Sequence, residues 1–298
     1  MIAALLRLCR LYYAVPMALA YALTLYYALG GRMDGQWPGA AASTAALALV
    51  IAAAYVLNDV FDMAFDRVNA PWRPIAAGRV PRRAAAAWGA ALAAAGLVLA
   101  AAAARPAFPA ALAAVAAALV LYDAASKRLG AAKPLAVAAL MTSIYPLALA
   151  QAGGASDGWR SFTIGAVASA LAQGGGPRAA ALPVFAAWMF LTAFGYEVLK
   201  DIRDIPGDRA GGAAATALQR NPRLWRRAAG AVIAAAAAML LLPLGLGCGW
   251  VYGAVAAAAM GAAVVSVFLP VRRAIMAVYA ECFLVGVAAA ADPLILGF

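Results

Sequence analysis

Acidic residues at a repeated spacing are the part of this sequence that can do chemistry. The chain has twelve Asp and Glu residues, and six of them lie in two copies of the pattern D-x2-D-x3-D-R. The copies are Asp59, Asp62, Asp66 and Arg67, and then Asp201, Asp204, Asp208 and Arg209, with a constant offset of 142. Carboxylates that cluster against their mutual repulsion indicate a hard divalent cation, and Mg²⁺ commonly bridges one or two of them to phosphate oxygens. We therefore interpret the six aspartates as candidate Mg²⁺ ligands.

Cationic and hydroxyl side chains near the acids extend this candidate site. The cations would supply the positive charge that a phosphorylated lipid needs beside a metal, and the hydroxyls would donate hydrogen bonds. The candidates are Arg10, Arg67, Arg73, Tyr122, Lys127, Tyr196, Lys200 and Arg203. A second interpretation stays open, because snorkelling lysines, belt tyrosines and arginine anchors are ordinary features of membrane helices. The acids could likewise be solvated loop residues that pair with nearby arginines, although two matched copies argue against it.

Helical spacing predicts how each copy presents its carboxylates. Positions i, i+3 and i+7 lie within about 60° of one another around a helix, so the three aspartates of the first copy are expected on one face. In the second copy Pro206 and Gly207 should break the helix after Ile205. A turn, and not helical spacing, would then place Asp208.

The elements that must position these residues are membrane helices. Hydrophobic residues make up 67% of the chain and charged residues 12%, which is more apolar surface than one water-soluble core can bury. Apolar runs near the roughly 20 residues that cross a bilayer predict an all-α, polytopic bundle of nine transmembrane helices, at 11–30, 40–58, 84–104, 107–123, 134–152, 180–199, 229–247, 251–270 and 275–296. The segment 153–179 is expected to be a long loop that holds a short interfacial helix.

The organisation expected is a single transmembrane domain over 1–298. Four predicted spans separate the two acidic copies, so both should emerge on the same membrane face as parts of a parallel repeat with halves of about 1–133 and 134–298.

The distribution of basic residues predicts the orientation. Of the 23 Lys and Arg residues, Arg32, Arg105, Arg160 and Arg178 alone fall on one side of the predicted bundle, and the other 19 share the side of the acidic copies. Because basic residues concentrate in cytoplasmic loops, we expect an integral protein of the inner (plasma) membrane with its site toward the cytoplasm. The net charge of +11 then needs no nucleic-acid partner.

The absence of His and the positions of Cys and Glu281 limit the kinds of catalytic group that the chain can use. The chain has no His, and its three Cys have no metal-like spacing, so imidazole bases, zinc and disulfides are not expected. Chemistry must then run on carboxylates, cations and hydroxyls. Glu281 lies about eight residues beyond Arg273, at a depth where a carboxylate is costly unless it is paired or faces a cavity.

At the acidic copies the sequence resembles the UbiA superfamily of intramembrane prenyltransferases. The family's N-D-x-x-D-x-x-x-D signature stands here as Asn58 to Asp66, and the similarity continues through Arg67-Val68-Asn69 and Arg73-Pro74-Ile75-Ala76-Ala77-Gly78. The second signature runs from Lys200 to Asp208. The segment from Glu197 to Asp208 looks most like the archaeal ether-lipid branch, digeranylgeranylglyceryl phosphate synthase, with chlorophyll and homogentisate prenyltransferases as close relatives.

This resemblance implies Mg²⁺-dependent transfer of an isoprenyl group from a prenyl diphosphate to a lipid or aromatic acceptor, geranylgeranylglyceryl phosphate among them. The aspartates would be the metal ligands. The diphosphate would bind Asn58, Arg67, Arg73, Lys127, Lys200, Arg203, Arg10 and Tyr122, and Asp62, Asp204, Lys200 and Tyr196 would be catalytic.

Other outcomes stay open from the sequence. The same superfamily site serves prenylation of aromatic quinone precursors, terpene cyclisation and phosphoribosyl transfer. A transporter also has parallel repeats and acidic residues, but its sites usually lie near the membrane midplane, whereas both copies here are predicted at helix ends on one face.

Overall fold

The computed structural model describes residues 1–153, 177–210 and 216–297, and every regular element in these ranges is a helix. Among the described residues, eight helical segments are long and apolar enough to cross a membrane, and two further helices joined by a 50° bend form a ninth. The prediction of an all-α, polytopic bundle is confirmed, and the chain is an integral membrane protein. The predicted loop and interfacial helix fall mostly on residues 154–176, which lie outside the described ranges.

The helices up to the first gap carry the first acidic copy. They are α1 (Ile2–Leu8), α2 (Leu11–Ala28), α3 (Trp37–Phe61), α4 (Met63–Asn69), α5 (Arg82–Ala103), α6 (Ala107–Ala125), α7 (Lys133–Thr142) and α8 (Ile144–Ala152). A 3₁₀ turn at Gly130–Ala132 leads into α7, so that α7 and α8 together form the fifth predicted span.

The remaining helices carry the second copy. They are α9 (Leu182–Ala210), α10 (Ala217–Arg220), α11 (Pro222–Met239), α12 (Trp250–Phe268) and α13 (Val271–Leu296). Asn221 caps α11, since its side-chain oxygen accepts a hydrogen bond from the Leu224 N–H.

Small residues allow these helices to approach closely, as expected where lipid provides no hydrophobic drive for association. A Cβ on Gly96 of α5 would lie 2.8 Å from the Ala46 carbonyl oxygen of α3, and one on Gly195 of α9 would meet the Ile233 side chain of α11. The Ala- and Gly-rich composition therefore sets the spacing of the bundle.

The two ends of the bundle differ in chemistry. At one end, the Arg105 N–H donates to Gln151 Oε1 at 3.1 Å, and Arg178 forms a buried ion pair with Asp292 at 3.0 Å. Asp292 also accepts hydrogen bonds from the Gly249 and Tyr252 N–H groups at the start of α12. Both acidic copies lie together at the opposite end, as predicted from the four intervening spans.

The prediction of a helix break after Ile205 is wrong. The helix α9 continues through Pro206 and Gly207 to Ala210, and the side chain of Asn69 hydrogen-bonds to the backbone on both sides of the proline. A helix boundary occurs instead in the first copy, where α3 ends at Phe61 and Asp62 joins it to α4. The first copy is thus not one continuous helical face.

Cysteine accessibility tests this arrangement of ends. In a background whose three native cysteines are replaced by serine, Ala77→Cys and Ala217→Cys should react with a membrane-impermeant maleimide from one side, and Asp34→Cys from the other. All three positions are exposed, so labelling reports sidedness and not burial. Reaction of Ala77→Cys and Ala217→Cys from opposite sides would contradict the fold.

Candidate active site

The end of α3 places Asp59 among cations. Asp59 is 2% exposed and forms ion pairs with Arg10 and, at 3.3 Å, with Arg73. Arg10 lies at the bend between α1 and α2 with φ of 43°, a left-handed conformation that non-glycine residues rarely adopt. The ion pair therefore supports a strained backbone, and the bend brings a cation from the N-terminal segment to the first copy.

The other two aspartates of the first copy are also paired. Arg73 Nη1 binds the Asp66 carboxylate at 2.6 and 2.7 Å, and Lys127 Nζ lies 3.7 Å from Asp62 Oδ1. Desolvation raises the pKa of Asp62 and that of Asp66 above the ordinary aspartate value, and the positive charges of Lys127 and Arg73 act against that rise. These cations favour the ionised carboxylates that a metal needs.

The second copy begins with a compact charge cluster on α9. Glu197 is 2% exposed and accepts from Lys200 at 2.6 Å, and it also pairs with Lys133 at 3.1 Å. Lys133, the first residue of α7, binds Asp201 as well. Two lysines thus balance two carboxylates at the buried part of the site.

Lys127 links the two copies. Its Nζ lies 3.0 Å from Asp208 Oδ1 and 3.7 Å from Asp62 Oδ1, so one ammonium group lies between carboxylates that are far apart in sequence. Asp204, by contrast, pairs with its neighbour Arg203 at 2.7 and 2.8 Å and is partly exposed.

Tyrosine rings lie beside the charge network. Tyr13 stacks on Tyr55 with ring centroids 5.7 Å apart, and its hydroxyl is 3.2 Å from that of Tyr196. Arg10 lies over the Tyr55 ring at 5.2 Å and Lys200 lies 5.7 Å from the Tyr196 centroid. Ring faces here can therefore stabilise positive charge.

The remaining predicted residues divide into two groups. Asn58 donates to Asp123 Oδ1 at 3.0 Å, and Tyr122 has Glu197 as a charged neighbour, so both lie in the network. Arg67 is exposed on α4, and within the described ranges it makes no ion pair.

Sequence reasoning missed Lys133, Tyr13 and Tyr55 as site residues. Lys133 precedes a proline at the start of a span on the motif side, which is the signal that could have found it. Glu281 is fully buried away from the motifs, where Trp188 Nε1 donates to it at 2.9 Å. The bond reaches Oε1, whereas the buried Oε2 has no hydrogen-bond partner among the described residues.

A cleft opens beside the network. Lys127, Lys133, Asp201 and Asp208 line it, and Trp225 of α11 contributes to its wall. This cleft borders the charged end of the bundle.

Fold and site together define a polytopic helical membrane protein with two aspartate-rich segments converging at one end. The model of the UbiA prenyltransferase family matches residues 14–277. The chain belongs to the UbiA prenyltransferase family.

Comparison with individual proteins supports this placement. A digeranylgeranylglyceryl phosphate synthase of Methanoregula boonei is 36% identical over 175 residues, which are 59% of this chain and 54% of that protein. One from Ignicoccus hospitalis is 31% identical over 203 residues, which are 68% of this chain and 61% of that protein. The matched part of this chain spans between half and two thirds of the length of these curated relatives.

Solved structures share the fold. A UbiA homologue from Aeropyrum pernix has a TM-score of 0.69 at 20% identity, with 97% of this chain and 98% of that chain covered. A UbiA homologue from Archaeoglobus fulgidus, bound to GPP and Mg²⁺, has a TM-score of 0.66 at 14% identity, with 98% and 100% covered.

Asp59 is more deeply buried than Asp204, so we expect the two residues to contribute unequally to the free energy of unfolding. Asp59→Ala should lower the free energy of unfolding by about 3 kcal/mol, because it removes a partner of a largely buried arginine. Asp204→Ala should change it by less than about 1 kcal/mol, since that pair is partly exposed. Denaturant unfolding in mixed micelles measures both, and equal losses would contradict the burial difference.

Proposed function

We propose that this chain is a Mg²⁺-dependent intramembrane prenyltransferase that moves an isoprenyl group from a prenyl diphosphate to a lipid acceptor. The single observation that carries the proposal is the Lys127 ammonium group, which lies between Asp62 and Asp208. A cation is thus held by carboxylates from both acidic copies, in a protein of the UbiA prenyltransferase family.

The residues fit Mg²⁺. Mg²⁺ prefers oxygen ligands, and it usually needs one or two protein carboxylates because substrate phosphates and water complete its shell. Within the described ranges the acids form no group of three that could enclose an ion by themselves, so Mg²⁺ here would need substrate phosphate oxygens and water to complete its shell. Mg²⁺ would neutralise the charge that develops on the departing diphosphate.

The cations of the network provide the diphosphate contacts. In this structure each of them is bound to a carboxylate, as Arg73 is to Asp66 and Lys127 is to Asp208. With the carboxylates holding a metal, these cations would be available to bind the diphosphate oxygens. We assign this role to Arg10, Asn58, Arg73, Tyr122, Lys127, Lys200 and Arg203, and Arg67 would need to turn inward from its exposed position.

The chemical step is heterolysis of the allylic C–O bond. Its electron pair leaves with the diphosphate oxygen and the allylic carbon becomes positive, which the ring faces of Tyr13, Tyr55 and Tyr196 stabilise. The acceptor hydroxyl oxygen then bonds to that carbon, and its proton passes to the released diphosphate. Asp62 and Asp204 would hold the metal, and Lys200 would act through its charge.

For the acceptor we propose geranylgeranylglyceryl phosphate. Relatives from Methanoregula boonei and Ignicoccus hospitalis carry the name digeranylgeranylglyceryl phosphate synthase, and that name is the support for this acceptor. The 19-to-4 distribution of basic residues supports a cytoplasmic site in the inner membrane.

Metal dependence tests the proposal directly. Purified protein given geranylgeranyl diphosphate and geranylgeranylglyceryl phosphate should release diphosphate only with Mg²⁺ or Mn²⁺, since the cations alone cannot stabilise the leaving group. Colorimetric diphosphate release and product mass measure the reaction, and an aromatic acceptor in place of the glycerol lipid tests acceptor class. Full turnover in excess chelator would contradict the proposal.

A matched pair of lysine and arginine variants tests the site itself. Lys127→Met should lower kcat/KM at least about 100-fold, which corresponds to about 2.7 kcal/mol of transition-state stabilisation. Arg128→Met removes the same charge from an exposed neighbouring side chain and should stay within about threefold of wild type, as is usual for surface charges. Equal losses would indicate a general effect of net charge and not a contact at Lys127.

A further inference from the structure

The last residue of α4, Asn69, connects the two acidic copies directly. Its Nδ2 donates a hydrogen bond to the Asp204 carbonyl oxygen at 2.9 Å, and its Oδ1 accepts one from the Gly207 N–H at 2.9 Å. In the part of the chain that the structure describes, these are the direct hydrogen bonds between the two acidic segments, whose carboxylates otherwise meet through Lys127.

The sequence of α9 explains why an amide fits at this point. Pro206 has no N–H, and its ring crowds the carbonyl one turn back, which opens the helical hydrogen-bond ladder. Backbone groups beside such an opening need partners, and the Asn69 amide reaches Asp204 and Gly207 on either side of the proline. The amide therefore gives partners to two backbone groups that flank the proline, while the carbonyl that loses a helical donor is that of Ile202.

Glycine at position 207 is part of the same contact. Gly207 is buried, and a Cβ there would overlap Cγ and Nδ2 of Asn69. Its φ is not in the left-handed region, so backbone conformation does not require glycine at this position. Space for the Asn69 amide is the requirement that the structure displays.

The hydrogen bonds of Asn69 set the distance and orientation between the carboxylates on α4 and those on α9. Asn69 lies three residues after Asp66 on α4, and Gly207 lies one residue before Asp208 on α9. Two hydrogen bonds from one planar amide fix the rotation of one helix against the other as well as their distance. Without them, the packing of α4 against α9 and the ion pairs of Lys127 would remain as contacts between the copies.

We infer that Asn69 is a positioning residue, which holds the carboxylates of the two copies at the separation that a shared Mg²⁺ and diphosphate require. The catalytic part of this inference rests on the proposed function. Residues that orient metal ligands from outside the coordination shell typically contribute about 10- to 100-fold to metal affinity or activity.

Metal titration tests the inference. Asn69→Ala should raise the Mg²⁺ concentration for half-maximal diphosphate release at least about tenfold. Asn69→Asp, which keeps an acceptor for the Gly207 N–H but loses the donor to the Asp204 carbonyl, should not restore it. Val68→Ala, a change at the exposed adjacent residue, serves as the control and should titrate as wild type does. Wild-type Mg²⁺ dependence in Asn69→Ala would overturn the inference.

Substitution of the glycine separates positioning from helix stability. Intrinsic helix propensity favours Ala over Gly, so a purely local view expects Gly207→Ala to be harmless. The inference expects Gly207→Ala to reproduce the Mg²⁺ defect of Asn69→Ala, and to add little to it in the double variant, because both changes remove one contact. A harmless Gly207→Ala would contradict the inference.

A spectroscopic readout requires no turnover. Spin labels at Ala64 of α4 and Ala210 of α9, both exposed, report the separation of the two segments by electron paramagnetic resonance. The distance distribution should broaden in Asn69→Ala and in Gly207→Ala, but not in Val68→Ala. Identical distributions in wild type and Asn69→Ala would contradict the inference alone, whereas a wild-type protein that releases no diphosphate would contradict the proposed function alone.

Discussion

The structure depends on the neutralisation of carboxylates at the end of a membrane bundle. Seven carboxylates, those of the six motif aspartates and Glu197, pair with six cations in this region. Charges with so little water around them are costly unless paired. The cations come from the bend before α2, the segment after α4, the loop after α6, the start of α7 and α9 itself. The bend at Arg10 and the docking of Lys133 both follow from this requirement, and the same cations are then available to a diphosphate.

The two acidic copies present their carboxylates at the same end of the bundle, but their backbones differ. In the first, the chain changes direction at Asp62 between α3 and α4, whereas in the second α9 runs through Pro206 without interruption. A tertiary contact reverses what local propensity would give, because Asn69 supplies hydrogen bonds on both sides of the proline. The repeat in sequence therefore does not imply identical local structure, and the division into halves 1–133 and 134–298 stays a prediction.

Much of the fold follows from the sequence. The bilayer sets the length and hydropathy of each span, and the internal repeat sets the offset of 142 residues between the acidic copies. The six aspartates and Lys127 were predicted from spacing and charge, and the structure brings them to one end. Lys133, Tyr13 and Tyr55 were missed, since their roles arise from which helices become neighbours. The helix through Pro206 was mispredicted for the same reason, as no local rule anticipates an asparagine more than a hundred residues earlier.

In the proposed site, both acidic copies would bind one shared Mg²⁺ ion and one diphosphate. A double-mutant cycle on Asp62→Ala and Asp208→Ala tests it most directly, since these are the carboxylates that share Lys127. Each single change should lower kcat/KM for diphosphate release at least about 100-fold, and the double variant should be little worse, because groups that act as a unit are strongly non-additive. Losses that multiply in the double variant, or single variants with wild-type rates, would show that the copies do not form one site.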